Sequence, residues 1–251
     1  MRYVLLIVVG AIAAAPVTAM DPDQMAIEKL LRAEKLVPVP RPNPLVEKRG
    51  FRVLGTSEEP RFETTKCEWG GRDPKPLAAG RFTYDVDNHG EFGGRLVVRE
   101  GGGEPRELLR GDNFWHLVPF KSDLYVFGGL SHLGISRGTL YLVENYESHP
   151  AARALTNLPQ HPDVVVPGFK GRGLFVISRL SITWVDHHGN LDVVMARRSP
   201  LYVPNSGLAM GWADLLVGMC GAVAWIHMPW LTNRPPDPDD EFPVVTYWAR
   251  P

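Results

Sequence analysis

The chain has 251 residues, 44% of them hydrophobic, and carries 27 Lys and Arg against 28 Asp and Glu. Lys and Arg are scattered singly or in isolated pairs such as Arg197-Arg198, so the clustered cationic stripe that tracks a phosphate backbone is absent and nucleic acid is excluded as a partner. A chain of this length buries a full core without metals or a disulfide framework, and as an all-β fold it forms one domain.

The first predicted element is a secretion signal. MRYVLLIVVGAIAAAPVTAM places a cation at Arg2, an apolar run from Val4 to Ala15 and the small residues Val17-Thr18-Ala19 in order, which predicts cleavage after Ala19. Asp21-Pro22-Asp23 follows in place of the cationic flank of a stop-transfer anchor, and no cysteine follows the run for lipid attachment. Export to the periplasm or the cell exterior is expected, with membrane contact only through this segment; retention as an anchor stays open. Losing Arg2 leaves 26 cations against 28 acids, a net charge of about −2.

Residues 20–50 are expected to form a short helix and a proline-rich arm ahead of a domain spanning 51–251. Asp21-Pro22-Asp23-Gln24 offers an N-cap, a proline at the first helical position and a glutamine at the third, before the apolar Met25, Ile27, Leu30 and Leu31, so a helix to about Leu36 is predicted. The alternating prolines of Val37 to Pro44 predict a polyproline II arm.

From Phe51 the chain turns to short runs of Val, Leu, Phe and Tyr cut by glycine and charge, with no long helical period, which marks an all-β fold. The runs repeat. Leu124 to Phe127, Leu174 to Ile177 and Leu215 to Gly218 start 50 and 41 residues apart. Each is preceded by one run (Phe114 to Phe120, Val164 to Phe169, Gly207 to Trp212) and followed by two more (Thr139 to Val143 then Ala154-Leu155, Ile182 to Val185 then Leu191 to Met195, Ala222 to Ile226 then Val244 to Trp248). An upstream copy uses Phe62 to Trp69, Arg81 to Val86, Gly94 to Val98 and Glu107 to Leu109, and Pro44 to Pro60 adds a closing strand or part of a further unit. A sheet apolar on both faces must stack on neighbours, so units of this period predict a β-propeller of four to five four-stranded blades.

Between Phe62 and Arg250 the sequence resembles secreted β-propellers of the YVTN, NHL and SMP-30 kind, on the strand-turn-strand LFVISRLSITWVDHHGN and the phrase LYVPNSGLAM. In such propellers a hairpin of the first form carries Asp-x-x-Gly at its tip, the place of Asp186-His187-His188-Gly189 here. Pro204-Asn205-Ser206-Gly207-Leu208-Ala209 is similar to the Pro-Asn-Gly-Leu-Ala phrase of SMP-30-like lactonases, where the asparagine carbonyl ligates a divalent cation in the central channel. The resemblance thus implies calcium at Asn205. Calcium takes six to eight oxygens, and the family's other ligands, a glutamate in a Glu-Gly-Pro phrase and an aspartate in a later blade, have no clean counterpart; Ser206 is an insertion. An asparagine at the entry to an inner strand is the alternative.

The remaining motifs are placed by context. Gly189-Asn190 is a turn pair between two predicted strands, so His187 and His188 are expected on an exposed turn and not in a metal site. Gly128 to Gly138 is a glycine-rich hairpin loop without the following helix that a phosphate loop needs, and it presents His132 and Arg137. Asp87-Asn88-His89-Gly90-Glu91 has the residues of an ordinary turn. His116 beside Trp115, and His227 between Trp225 and Trp230, belong to strands as buried or interface groups. No nucleophile elbow, His-Glu-x-x-His helix or Cys-x-x-Cys pair occurs.

Two functions follow as expectations. The first is a non-enzymatic exported module that binds a protein or glycan through loops on one face, with His116, His132, Arg137, Asn205 and Trp212 as candidate ligand-binding residues and no cofactor. The second is a lactonase-like or esterase-like hydrolase using a cation at Asn205. In a closed ring the first and last units are neighbours, so Cys67 and Cys220 are expected to pair; two separate buried thiols are the alternative.

Overall fold

The computed structural model describes residues 22–43, 48–67, 74–196, 201–228 and 243–251. The expected signal segment and the Asp21 cap lie outside them, and no helix among the described residues is long and apolar enough to cross a membrane. The helix α1 runs over Pro22–Ala33 and buries Ile27 and Leu31, one turn apart. Polyproline geometry does not follow. Instead β1 (Val37–Val39) adds to the edge of the last sheet, with Pro38 opposite Trp248. An edge position tolerates Pro38 because its missing N–H is asked for nothing on the open side.

Next come β2 (Arg49–Gly55) and β3 (Pro60–Lys66), an antiparallel pair that forms a sheet of its own. Three four-stranded antiparallel sheets follow in chain order. They are β4 (Leu77–Ala79), β5 (Phe82–Asn88), β6 (Gly94–Glu100) and β7 (Arg106–Arg110); β8 (Asn113–Phe120), β9 (Asp123–His132), β10 (Ile135–Glu144) and β11 (Ala151–Leu158); and β12 (Val164–Pro167), β13 (Gly173–Ile177), β14 (Ser181–Asp186) and β15 (Leu191–Ala196). The last sheet holds β16 (Ser206–Ala209), β17 (Asp214–Gly218), β18 (Val223–His227) and β19 (Val244–Ala249), with β1 as its fifth strand.

Alternation along the middle strands explains the continuous apolar runs. On β9, Leu124 and Val126 pack toward the preceding sheet while Tyr125 and Phe127 pack toward the following one. On β13, Leu174 and Val176 face back and Phe175 and Ile177 face forward. On β17, Leu215 and Val217 face back, whereas Leu216 turns to a cluster that holds α1 and Phe51, Val53 and Phe62 of the β2–β3 pair. Successive side chains leave a strand on opposite faces, so each middle strand is apolar throughout and joins two cores.

Packing therefore runs in chain order from β4–β7 to the last sheet, and then to a hairpin that precedes β4 in the sequence. Phe62 belongs to that hairpin, where Val53 is its partner; the upstream unit opens with β4 and not with Phe62 to Trp69. Phe62 is drawn there because it is buried with Phe51 and Trp248. Backbone contacts fix the hairpin on the last sheet: Phe51 N–H donates to Met219 O at 3.0 Å and Gly221 N–H to Arg49 O at 2.8 Å. Gly218 is required at this seam, since a Cβ there would press on the Phe51 carbonyl and the Ser206 hydroxyl. The seam is covalent as well: Cys67 and Cys220 form a disulfide with Cα atoms 5.1 Å apart.

Candidate functional site

In each four-stranded meander the turns after the first and third strands lie at one end. The turn after the second strand and the connection to the next sheet lie at the other. A cavity of about 640 Å³ opens at this second end. Its wall is built from connectors and strand ends: Lys75 ahead of β4, Glu91 after β5, Trp115 and His116 on β8, His132 at the end of β9, His161 to Asp163 ahead of β12, Arg179 after β13 and Val203 to Asn205 ahead of β16. Arg52 and Lys66 of the hairpin complete it.

The three histidines have different partners. His116 Nε2–H donates to Pro162 O at 3.2 Å, which leaves Nδ1 as an acceptor. Burial pushes its pKa down to about 4, so the ring is neutral at pH 7. His161 is buried and sits 3.4 Å from Asp163 Oδ1 through Nδ1; its N–H donates to Ser136 Oγ and its carbonyl accepts the Ser178 hydroxyl at 2.6 Å. His132 Nε2 lies 3.3 Å from Glu91 Oε2 at the mouth. Trp115 packs edge-on against His161 with ring centroids 5.3 Å apart, and its indole N–H donates to Gly129 O at 3.0 Å. Nearby, Asn113 is buried and its Oδ1 has no hydrogen-bond partner.

The folded pKa of His116 lies below the ordinary value of about 6.5, so the unfolded chain takes up its proton first. Stability from this group is complete above pH 6.5 and declines as pH falls toward 4. Urea midpoints at pH 7 and pH 5 should show that decline, and His116→Gln should flatten it; an equal decline in the variant would place the titrating group elsewhere.

Asn205 is held by the insertion beside it. The Ser206 hydroxyl donates to Asn205 Oδ1 at 2.9 Å and itself accepts Val53 N–H at 2.9 Å, which ties Asn205 to the hairpin. Two residues earlier Val203 adopts φ 50°, a left-handed conformation that is costly for a β-branched residue. Strain of this kind persists where surrounding structure fixes it, often at a binding site. Among the described residues no group of three His, Cys, Asp or Glu side chains could hold a metal ion. The amide oxygen of Asn205 is engaged by Ser206 and has no carboxylate shell among the described residues, which therefore do not fit calcium.

Of the five candidate residues, His116, His132 and Asn205 line one cavity, and Arg137 and Trp212 do not. Arg137 is exposed on β10 opposite Leu130. Strand pairing here extends to His132 and resumes at Ile135, so the expected glycine-rich loop is two strands joined at Leu133-Gly134. Glycines are needed within those strands because Pro162 and the Arg137 carbonyl crowd Gly129. Trp212 follows β16 at the opposite end, where the Arg172 guanidinium lies 4.2 Å from its ring centroid. His227 belongs to a buried pair, its Nδ1–H donating to Asp214 Oδ1 at 2.9 Å beside the Trp225 indole N–H at 2.7 Å.

His187 and His188 also lie at the opposite end, between β14 and β15. They occupy the centre of a turn closed by Gly189 N–H on Asp186 O at 3.1 Å, with Gly189 at φ 81°. Burial pushes the Asp186 carboxyl up, but hydrogen bonds from Asn190 and His188 outweigh it and hold the group below its ordinary range. Asp186 is thus committed to its own turn. Replacing His187→Asn and His188→Ser together should change stability by less than about 0.5 kcal/mol in urea denaturation; a loss of several kcal/mol would contradict a turn role.

The residues missed by sequence reading are His161, Asp163, Arg179 and the hairpin cations. A signal for some of them exists: the positions just ahead of the first strands β4, β12 and β16 recur in the wall, at 75, 161–163 and 203–205.

These features define an all-β protein of stacked, blade-like antiparallel sheets with a histidine-rich cavity at the connector end. No family model matches the chain, and no curated protein matches it. Among solved structures, a structural genomics protein of unknown function from Bacteroides thetaiotaomicron is similar at 10% identity, with 81% of this chain and 70% of that chain covered and a TM-score of 0.31. A likeness that weak says nothing of activity.

Proposed function

We propose that the chain is an exported β-propeller, closed by the β2–β3 hairpin as a partial fifth blade, that binds a glycan in the connector-end cavity without covalent chemistry. The observation that carries this reading is the cavity itself. Its volume of about 640 Å³ suits a small ligand, and it gathers hydrogen-bond donors and acceptors around the half-buried Trp115. The C–H face of a sugar ring is apolar and covers an indole face, while its hydroxyls use the histidines and Asn205. The disulfide agrees with an oxidising compartment.

The test is a glycan array probed with the wild type and with variants at both ends. Binding should fall in the double variant His132→Ala with Asn205→Ala and persist in Trp212→Ala. Binding abolished by Trp212→Ala and retained by the double variant would place the site at the opposite end.

A further inference from the structure

The charges of the cavity point to one class of ligand. Among the described residues Arg52, Lys66, Lys75 and Arg179 line it with two carboxylates, Glu91 and Asp163, an excess of two positive charges. The chain as a whole is slightly acidic, with 27 cations and 28 acids, so this excess is local. It is also assembled from four separate places in the chain: β2, the end of β3, the connector ahead of β4 and the turn after β13. Both carboxylates sit beside a histidine, Glu91 with His132 at 3.3 Å and Asp163 with His161 at 3.4 Å. Like charges gathered in a concave site with low-dielectric walls focus a positive potential and attract an anion.

We infer that the cavity takes an acidic saccharide, a sugar bearing a free carboxylate, whose ring stacks on Trp115 while its carboxylate meets the cations of the wall. This rests on the glycan reading above and narrows it. A bare inorganic anion would use the cations and leave Trp115 without an apolar face to cover. A neutral sugar would cover Trp115 and make no use of the positive potential of the wall. Arg52 and Arg179 are half-buried and Lys66 and Lys75 exposed, so the arginines form the inner contacts and the lysines the outer field.

Calorimetric titration of the full chain with matched oligosaccharide pairs tests this. Each pair, oligogalacturonate and oligoglucuronate among them, differs only in whether the carboxylates are free or methyl-esterified, and inorganic phosphate forms a third arm. The free acid should bind about tenfold or more tightly than its ester, weaken with added salt, and lose about tenfold in the exposed double variant Lys66→Gln with Lys75→Gln. Equal affinity for acid and ester would overturn the inference and leave the glycan reading standing. Phosphate binding as tightly as the acid sugar would overturn the saccharide and leave an anion site. No binding in any sugar arm would overturn the inference and the glycan reading together.

Discussion

Replacing both Cys67→Ser and Cys220→Ser, or reducing the bond, should cost about 5 kcal/mol of stability, as chain entropy predicts for a loop closed over 153 residues. The native state magnifies the change locally. Cys220 is 1% exposed, pairs its backbone with Gly50, and lies at the seam where the hairpin meets the last sheet. Without the bond the hairpin keeps the hydrogen bonds of Phe51 and Gly221 but loses the covalent tie at the same open end, where Arg49 pairs with Lys66. Urea denaturation of oxidised and reduced protein, with peptide mapping to verify the bridge, measures the difference. Equal midpoints would show that the seam is held without it.

Leu31→Ala should be the next largest loss, about 2–5 kcal/mol, because a fully buried leucine leaves a cavity when truncated. Leu31 is 0% exposed and packs with Ile27 and Leu36 against the cluster of Phe51, Phe62, Leu216, Trp225 and Trp248. That cluster joins the helix, the hairpin and the last sheet, so the variant weakens three elements at once. Met25 on the same helix is 54% exposed, and Met25→Ala is the control, expected within about 0.5 kcal/mol. A loss under 1 kcal/mol for Leu31→Ala would mean that the helix is an ornament on the sheets.

These two expectations separate what the sequence makes legible from what it hides. The middle strands of the last three sheets are legible because each must be apolar on both faces, and Leu174 to Ile177 or Leu215 to Val217 can hardly be anything else. β1 is hidden. Its prolines suggest a free arm, and only pairing with β19, some 210 residues away, supplies the reason for a strand. The sheet that holds Phe62 is hidden for a related cause: periodicity shows that it is buried, but not against which neighbour.

The cavity is hidden for another reason. Its residues come from connectors and strand ends, where type follows position in the assembly and not a local period. His116 and Asn205 were visible as motifs, His132 as a hairpin residue. Arg52, Lys66 and Arg179 have nothing local to mark them, His161 and Lys75 are marked only by their place ahead of β12 and β4, and the fold sends Trp212 and Arg137 elsewhere.

The histidines supply the most direct test of the claim that the connector end binds the ligand. His116, His132 and His161 line the cavity, while His187 and His188 sit on a turn at the other end, their rings 3.8 Å apart. Ring spectra of histidine-labelled protein, titrated with the acid and ester oligosaccharide pairs, follow both ends in one sample. The account predicts that His116 and His132 shift together with bound sugar while His187 and His188 stay fixed. Shifts confined to His187 and His188, with the cavity histidines unmoved, would contradict it.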